Sequence, residues 1–285
     1  MTKIRYTLQE MRLYQWIKNL LIFAPLIFVN ELFNFSLLWK TVIAFFSFSF
    51  MASSVYILND IFDLVKDKIH PQKKERPLAS GKINLKTAKI SFIFLFILST
   101  LVGVFINWSF LFILFFYFFL NLLYSYKLKH LVILDLIFVA IMYLIRVYAG
   151  AVVIDVPVSN WLLLTTLFVA LFIATAKRRS ELVNIENNNE TITRKVLNDY
   201  NLQFLDYLLI ITNIATLVFY ALYTMTHGGL FVWSIFFVLY AMLRYLWLVL
   251  KKGIGEEPEK LLVKDRPIIF TIFLWIVFVI LILYL

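Results

Sequence analysis

Cysteine is absent from the 285 residues, which excludes disulfide frameworks and thiolate metal sites and leaves the redox compartment unmarked. Charge is scarce: 15% of residues are Asp, Glu, Lys or Arg, against about 25% in a soluble domain. Glycine (7) and proline (6) are few and lie mostly in loops, which argues against the Gly/Pro-broken mid-membrane helices and internal repeats of many transporters. Only 3 histidines are present, too few to suggest a histidine-based catalytic dyad. What is abundant is apolar, with 62% hydrophobic and 18% aromatic residues. A soluble protein of this size could not hide so much apolar surface, so the chain reads as an all-α polytopic membrane protein. The first apolar segment lacks a small-residue cleavage site, so it is expected to be a membrane segment and not a signal peptide.

Nine apolar segments are expected to span, near 18–31, 37–59, 85–107, 109–126, 131–153, 158–176, 202–225, 229–250 and 267–285. The first, fourth and sixth are short for a hydrocarbon core of roughly 30 Å and need tilt or interfacial anchoring. Ahead of them, Ile4, Leu8, Met11 and Trp16 alternate with polar neighbours, so residues 1–17 read as an interfacial amphipathic segment. All but four of the 27 basic residues (Lys40, Lys89, Arg146 and Arg244) fall in alternate loops, on the side of the N-terminus. The short opposite loops carry none. The positive-inside rule then places the N-terminus in the cytoplasm and the C-terminus outside. Position therefore explains the net charge of +10, and no nucleic-acid partner is implied. Residues 60–84, 177–201 and 251–266 become the substantial cytoplasmic loops of a single integral membrane domain, 1–285, and hold most of its polar chemistry.

The stretch Asn59–Gly81, "NDIFDLVKDKIHPQKKERPLASG", is the densest of these. Asp60, Asp63 and Asp67 follow an i, i+3, i+7 spacing, which puts them within roughly 60° of one another on a helix. Carboxylates stacked on one face repel each other unless a cation joins them. A hard ion such as Mg²⁺, shared with a substrate diphosphate, resolves the conflict; a helix end fraying into solvated ion pairs is the structural alternative. The basic half, with His70-Pro71, Lys73, Arg76-Pro77 and Gly81, suits phosphate, although positive-inside charge and anionic lipid would also place lysines there.

Asn59-Asp60-x-x-Asp63-x-x-x-Asp67 resembles the first aspartate-rich motif of the UbiA superfamily of intramembrane prenyltransferases. Tyr124-Ser125-x-x-Leu128-Lys129, with Asp135, Arg146 and Gly150 following, resembles its branch that transfers phosphoribose to polyprenyl phosphate. Gln15-Trp16-x-Lys18-Asn19, Glu257-Pro258-Glu259 and Asp265-Arg266-Pro267 resemble the same branch. The resemblance implies a nine-helix UbiA-like bundle in the cell membrane with its active site facing the cytoplasm. Asp135 and Arg146 are about three helical turns apart and share a helix face. Arg146 lies inside an apolar run, where insertion costs about 2.5–3.5 kcal/mol, so it should meet a partner or a polar cavity. A buried structural ion pair is an equal alternative.

Prenyl-diphosphate users of the superfamily carry a second aspartate-rich motif after the sixth helix. Here that position reads Lys177-Arg178-Arg179-Ser180-Glu181. Two acidic clusters suit one prenyl diphosphate, whereas one acidic and one basic cluster suit two different phosphate groups. The resemblance therefore implies phosphoribosyl diphosphate as donor, polyprenyl phosphate as acceptor and Mg²⁺ (or Mn²⁺) as cofactor. Asp60, Asp63 and Asp67 are expected to be the catalytic, metal-holding residues. Lys18, Asn59, Lys73, Arg76, Tyr124, Lys129, Lys177 and Arg178 are expected to bind phosphate groups. Asp135, Arg146, Glu181, Asp265 and Arg266 are expected to support them. Two other functions compete: a prenyl-diphosphate-dependent prenyltransferase with an aromatic acceptor, and a lipid or solute transporter. Oligomeric state is left open.

Overall fold

Four asparagines open four long helices. Asn84 Oδ1 accepts from the Thr87 N–H at 2.7 Å, Asn107 from Phe110 at 2.6 Å and Asn201 from Phe204 at 2.7 Å, while Asn34 accepts from Leu37 at 3.4 Å. Each cap satisfies one N–H that the first turn of a helix leaves without a partner. The computed structural model describes residues 2–69, 73–188, 195–252, 255, 261 and 264–284. Among these, every regular element is helical. The helices are α1 (Thr2–Glu10), α2 (Ala24–Phe28), α3 (Phe35–Phe62), α4 (Leu64–Ile69), α5 (Leu85–Ile106), α6 (Trp108–Tyr126), α7 (Leu134–Ile154), α8 (Asn160–Asn188), α9 (Leu202–His227), α10 (Ile235–Lys252) and α11 (Arg266–Tyr284).

Eight helices among the described residues are long and apolar enough to cross a membrane. The chain is a multi-pass membrane protein. The first expected span differs from the other eight: it is a 3₁₀ helix, Leu13–Phe23, continued by the five residues of α2. Eleven residues rising about 2.0 Å each and five rising about 1.5 Å give roughly 30 Å, so the tighter winding recovers length that an α-helix of 16 residues would lack.

The chain divides into two compact units. The first comprises Met1–Leu26, Glu31–Lys127 and Ile145–Val156. Here α3 lies along α5, and two serines stitch them: Ser47 Oγ donates to Ser99 O at 3.0 Å and Ser99 Oγ returns to Ser47 O at 2.7 Å. Small hydroxylated residues let apolar helices approach and bond across. Gly150 serves a closer approach still, since a Cβ there would stand 2.0 Å from the carbonyl oxygen of Ile22.

The second unit comprises Ile27–Asn30, Leu128–Leu144 and Pro157–Leu285. Its α8 lies along α9, with Phe172, Ala176, Leu209, Tyr245, Val249 and Ile268 in one buried cluster. Buried polar groups are bonded in series at the far end of α9: Trp275 Nε1 donates to Tyr220 OH at 2.7 Å, which meets Ser234 Oγ at 2.8 Å. Both units leave large apolar side chains exposed, Phe105 and Phe112 in the first and Phe236 and Phe270 in the second, as lipid-facing surfaces do.

Candidate active site

Helix α3 ends at Asp63, whose φ of −90° and ψ of 7° bend the chain into α4. The bend lets Asp60 and Asp67 face one cation, Arg76. Arg76 Nη1 donates to Asp60 Oδ1 at 2.8 Å and to Asp67 Oδ2 at 2.5 Å. From the N-terminal segment, Arg12 Nη2 donates to both oxygens of Asp60 at 2.6 Å, and its guanidinium lies 5.1 Å from the centre of the Tyr56 ring. Asp63 is half-buried, with Lys66 Nζ 3.9 Å away. The acidic triad of the sequence is thus a buried pair held by two arginines and one more open member.

A fourth carboxyl joins them. Glu10 is buried and accepts from the Leu78 N–H at 3.3 Å. Burial first, then the charge of Asp60 and a carboxyl–carboxyl hydrogen bond with it, push Glu10 up to about 7. Glu10 Oε1 and Asn59 Oδ1 are both buried without a hydrogen-bond donor among the described residues. A buried carboxyl oxygen such as that of Glu10, next to Asp60, is suited to a hard divalent cation. The cluster therefore fits such an ion, even though no group of three metal-ligating side chains stands preassembled among the described residues.

Other expected residues of this unit fall into two kinds. Lys18, Lys73 and Tyr124 are half-buried. Arg146 is 3% exposed and finds its partners in Asn19 Oδ1, at 2.7 Å, and Tyr117 OH, at 3.1 Å, with the Phe48 and Tyr117 rings beneath its guanidinium. Asn19 in turn donates to Ser49 Oγ at 2.9 Å and Trp16 Nε1 to Ser53 Oγ at 3.0 Å. The Gln15–Asn19 motif thus docks the 3₁₀ helix onto α3 and supplies the acceptor for Arg146.

In the second unit the basic run is not in a loop. Helix α8 continues through Asn188, so Lys177 to Glu181 are helical, with Arg178 and Ser180 turned inward. Arg178 Nε donates to Asp135 Oδ2 at 2.6 Å and its Nη1 to Glu181 Oε2 at 2.9 Å. Tyr200 OH donates to Asp135 Oδ1 at 2.7 Å while accepting from the Ile133 N–H at 2.7 Å, where Ile133 adopts a left-handed φ of 66°. Burial pushes the Tyr200 hydroxyl up, so it remains a donor. Arg178, expected as a phosphate ligand, is engaged by two carboxylates. Asp135, Glu181 and Arg178 form one supporting network, and Arg146 has partners of its own. Lys129 and Lys177 are half-buried. Asp265 caps α11 by accepting from the Ile268 N–H at 3.1 Å and accepts from Arg244 at 3.0 Å, while Arg266 is exposed. His70-Pro71 and Glu257-Pro258-Glu259 lie outside the described residues.

Sequence reasoning missed Glu10, Arg12, Tyr117 and Tyr200. Arg12 was visible only as one of many positive-inside cations. Nothing in a linear reading links it to an aspartate 48 positions away.

The UbiA prenyltransferase family profile matches residues 20–277. The chain belongs to the UbiA prenyltransferase family. It is 31% identical to the decaprenyl-phosphate phosphoribosyltransferase of Mycolicibacterium smegmatis, over 94% of this chain and 89% of that one. With the Corynebacterium glutamicum protein of the same name it shares 29% identity over 94% of this chain and 84% of that one. A UbiA homologue from Archaeoglobus fulgidus, solved bound to GPP and Mg²⁺, superposes with a TM-score of 0.74 at 18% identity, covering 98% of this chain and 100% of that one. Fold and family together make the protein a membrane-embedded transferase.

Proposed function

We propose that the protein transfers a 5-phosphoribosyl group from phosphoribosyl diphosphate to a polyprenyl phosphate, releasing diphosphate. The observation that carries this reading is the likeness to decaprenyl-phosphate phosphoribosyltransferases along nearly the whole chain. The basic character of α8 where a second acidic motif would stand in prenyl-diphosphate users supports it.

Asp60, Asp63 and Asp67 would hold a divalent ion, Mg²⁺ or Mn²⁺, with Glu10 and Asn59 offering further oxygens. Such an ion, when bound, neutralises charge on a departing diphosphate. Arg76 is placed to share that charge, since its guanidinium already spans the two buried aspartates. The attacking oxygen belongs to a phosphate that is anionic at neutral pH, so the chain needs no strong general base. Lys18, Lys73, Lys129 and Lys177 remain the candidates for the donor 5-phosphate and the lipid phosphate. Arg178 orients α8 through Asp135 and Glu181. The acidic cluster faces the cytoplasm of the cell membrane in this reading, the product being a lipid-linked sugar precursor of the cell envelope. Leu13–Phe28 makes the ninth crossing of the one membrane domain.

The archaeal homologue bound to GPP keeps a second reading in play, prenyl transfer from a prenyl diphosphate. Paired assays on isolated membranes separate the two. Labelled phosphoribosyl diphosphate is supplied with polyprenyl phosphate, and labelled prenyl diphosphate with 4-hydroxybenzoate. Lipid-soluble product is expected only in the first; product only in the second would replace the phosphoribosyl reading with the prenyl one.

A further inference from the structure

Arg12 occupies an unusual place. Its backbone sits at φ 53° and ψ 52°, the left-handed region, at the joint between α1 and the 3₁₀ helix. A non-glycine residue there costs about 1–3 kcal/mol and persists only where the surroundings impose it. The surroundings are visible: Ser53 Oγ donates to Met11 O at 2.8 Å and accepts from Trp16 Nε1 at 3.0 Å, clamping the joint on both sides. What the strained joint achieves is the delivery of a guanidinium to Asp60.

Charge then makes an exchange feasible. The side chains of Asp60 and Asp67 are each 5% exposed, whereas those of Arg12 and Arg76 are 20% and 29% exposed. The carboxylates are fixed inside and the arginines retain a way out. Two guanidinium groups carry the same +2 as one divalent cation. Replacing them at the carboxylates by such a cation leaves the cluster's net charge unchanged, and the buried Glu10, next to Asp60, can add a further carboxyl oxygen. A freed guanidinium presents a planar fork that matches phosphate oxygens.

We propose that Arg12 and Arg76 are resident counter-ions that yield Asp60 and Asp67 to the divalent ion and re-form on the donor's diphosphate. Arg12 thereby couples the N-terminal segment to donor binding. The inference deepens the phosphoribosyl reading and rests on its metal assignment. Permanent structural ion pairs are the rival account. They predict that losing Arg12 leaves a carboxylate unpaired and gains nothing for any ligand.

The test uses the full chain in detergent or nanodiscs, with Mn²⁺ titrated by electron paramagnetic resonance and inorganic pyrophosphate by calorimetry at saturating Mn²⁺. Arg12→Gly is the first variant, because glycine accepts the left-handed backbone without strain. It should bind Mn²⁺ alone about tenfold tighter, one competing charge having gone, and pyrophosphate about tenfold weaker. This split in sign is the signature. Both affinities moving together, or neither moving, in a protein that melts like wild type would overturn the exchange. Should Arg12→Gly not fold, Arg76→Gln must show the same split or the proposal falls. Asp60→Asn separates the levels. If it leaves Mn²⁺ binding intact, the metal assignment itself fails; if it abolishes binding and the split is absent, only the exchange fails.

Discussion

A single carboxylate carries most of the chemistry ascribed to this chain. Asp60 meets Arg12 and Arg76, which at 20% and 29% exposure can turn to water when it is lost, so its removal should act on catalysis more than on folding. We expect Asp60→Asn to lower turnover by at least about a hundredfold. Asp63→Asn should do the same, with the folded protein retained in both, as judged by size exclusion and thermal melting. Retained activity would remove these residues from the metal site. Arg178 should behave in the opposite way. A buried ion pair that loses one partner costs about 3–5 kcal/mol, because the other charge is left uncompensated. Arg178→Gln should therefore lower the melting temperature markedly, while Lys177→Gln, at a half-buried position, should lower it less and raise KM for a phosphate substrate. If Arg178→Gln melts like wild type, the network around Asp135 does not support the fold. The two residues are adjacent in sequence and chemically alike. Only the burial of Arg178 against Asp135 and Glu181 tells them apart, and burial cannot be read from a basic run.

At the level of elements, the length and composition of the apolar runs sufficed for the eight helices long enough to cross a membrane among the described residues, and asparagine caps mark four of their starts. Two features were not legible. Asp60, Asp63 and Asp67 read as one face of a continuous helix, yet the chain bends at Asp63, and Asp60 and Asp67 converge on Arg76. The apolar run marks the first span, but its 3₁₀ winding over Leu13–Phe23 is not legible, since length and composition do not distinguish that winding from an α-helix. The span's position depends on Gly150, whose role no sequence motif displays. A Cβ at 150 would meet the Ile22 carbonyl at 2.0 Å, so the backbone must shift for any other residue. Gly150→Ala should destabilise the protein by about 1–3 kcal/mol, measured by thermal melting in detergent; an unchanged midpoint would show that the 3₁₀ helix adjusts freely. Ser99→Ala should cost less, about 0.6 kcal/mol, as exchanged bonds between apolar helices generally do.

For the molecule as a whole, charge asymmetry between loops predicts an orientation, and the absence of cysteine provides the means to check it. Single cysteines can be introduced with no background. A membrane-impermeant maleimide applied to intact cells should label Phe33→Cys and spare Arg5→Cys and Lys82→Cys until the membrane is opened. Labelling of Arg5→Cys in intact cells would mean that Leu13–Phe28 does not cross. Family membership follows from the match across residues 20–277, but family alone leaves the transferred group open between prenyl and phosphoribosyl. The measurement that reaches that question most directly follows two labels through one reaction. Phosphoribosyl diphosphate carrying phosphorus label in either its 5-phosphate or its diphosphate is incubated with polyprenyl phosphate and Mg²⁺. Phosphoribosyl transfer predicts that the 5-phosphate label enters the lipid and the diphosphate label is released to water. Diphosphate label in the lipid, or no label in the lipid from either donor, would contradict it.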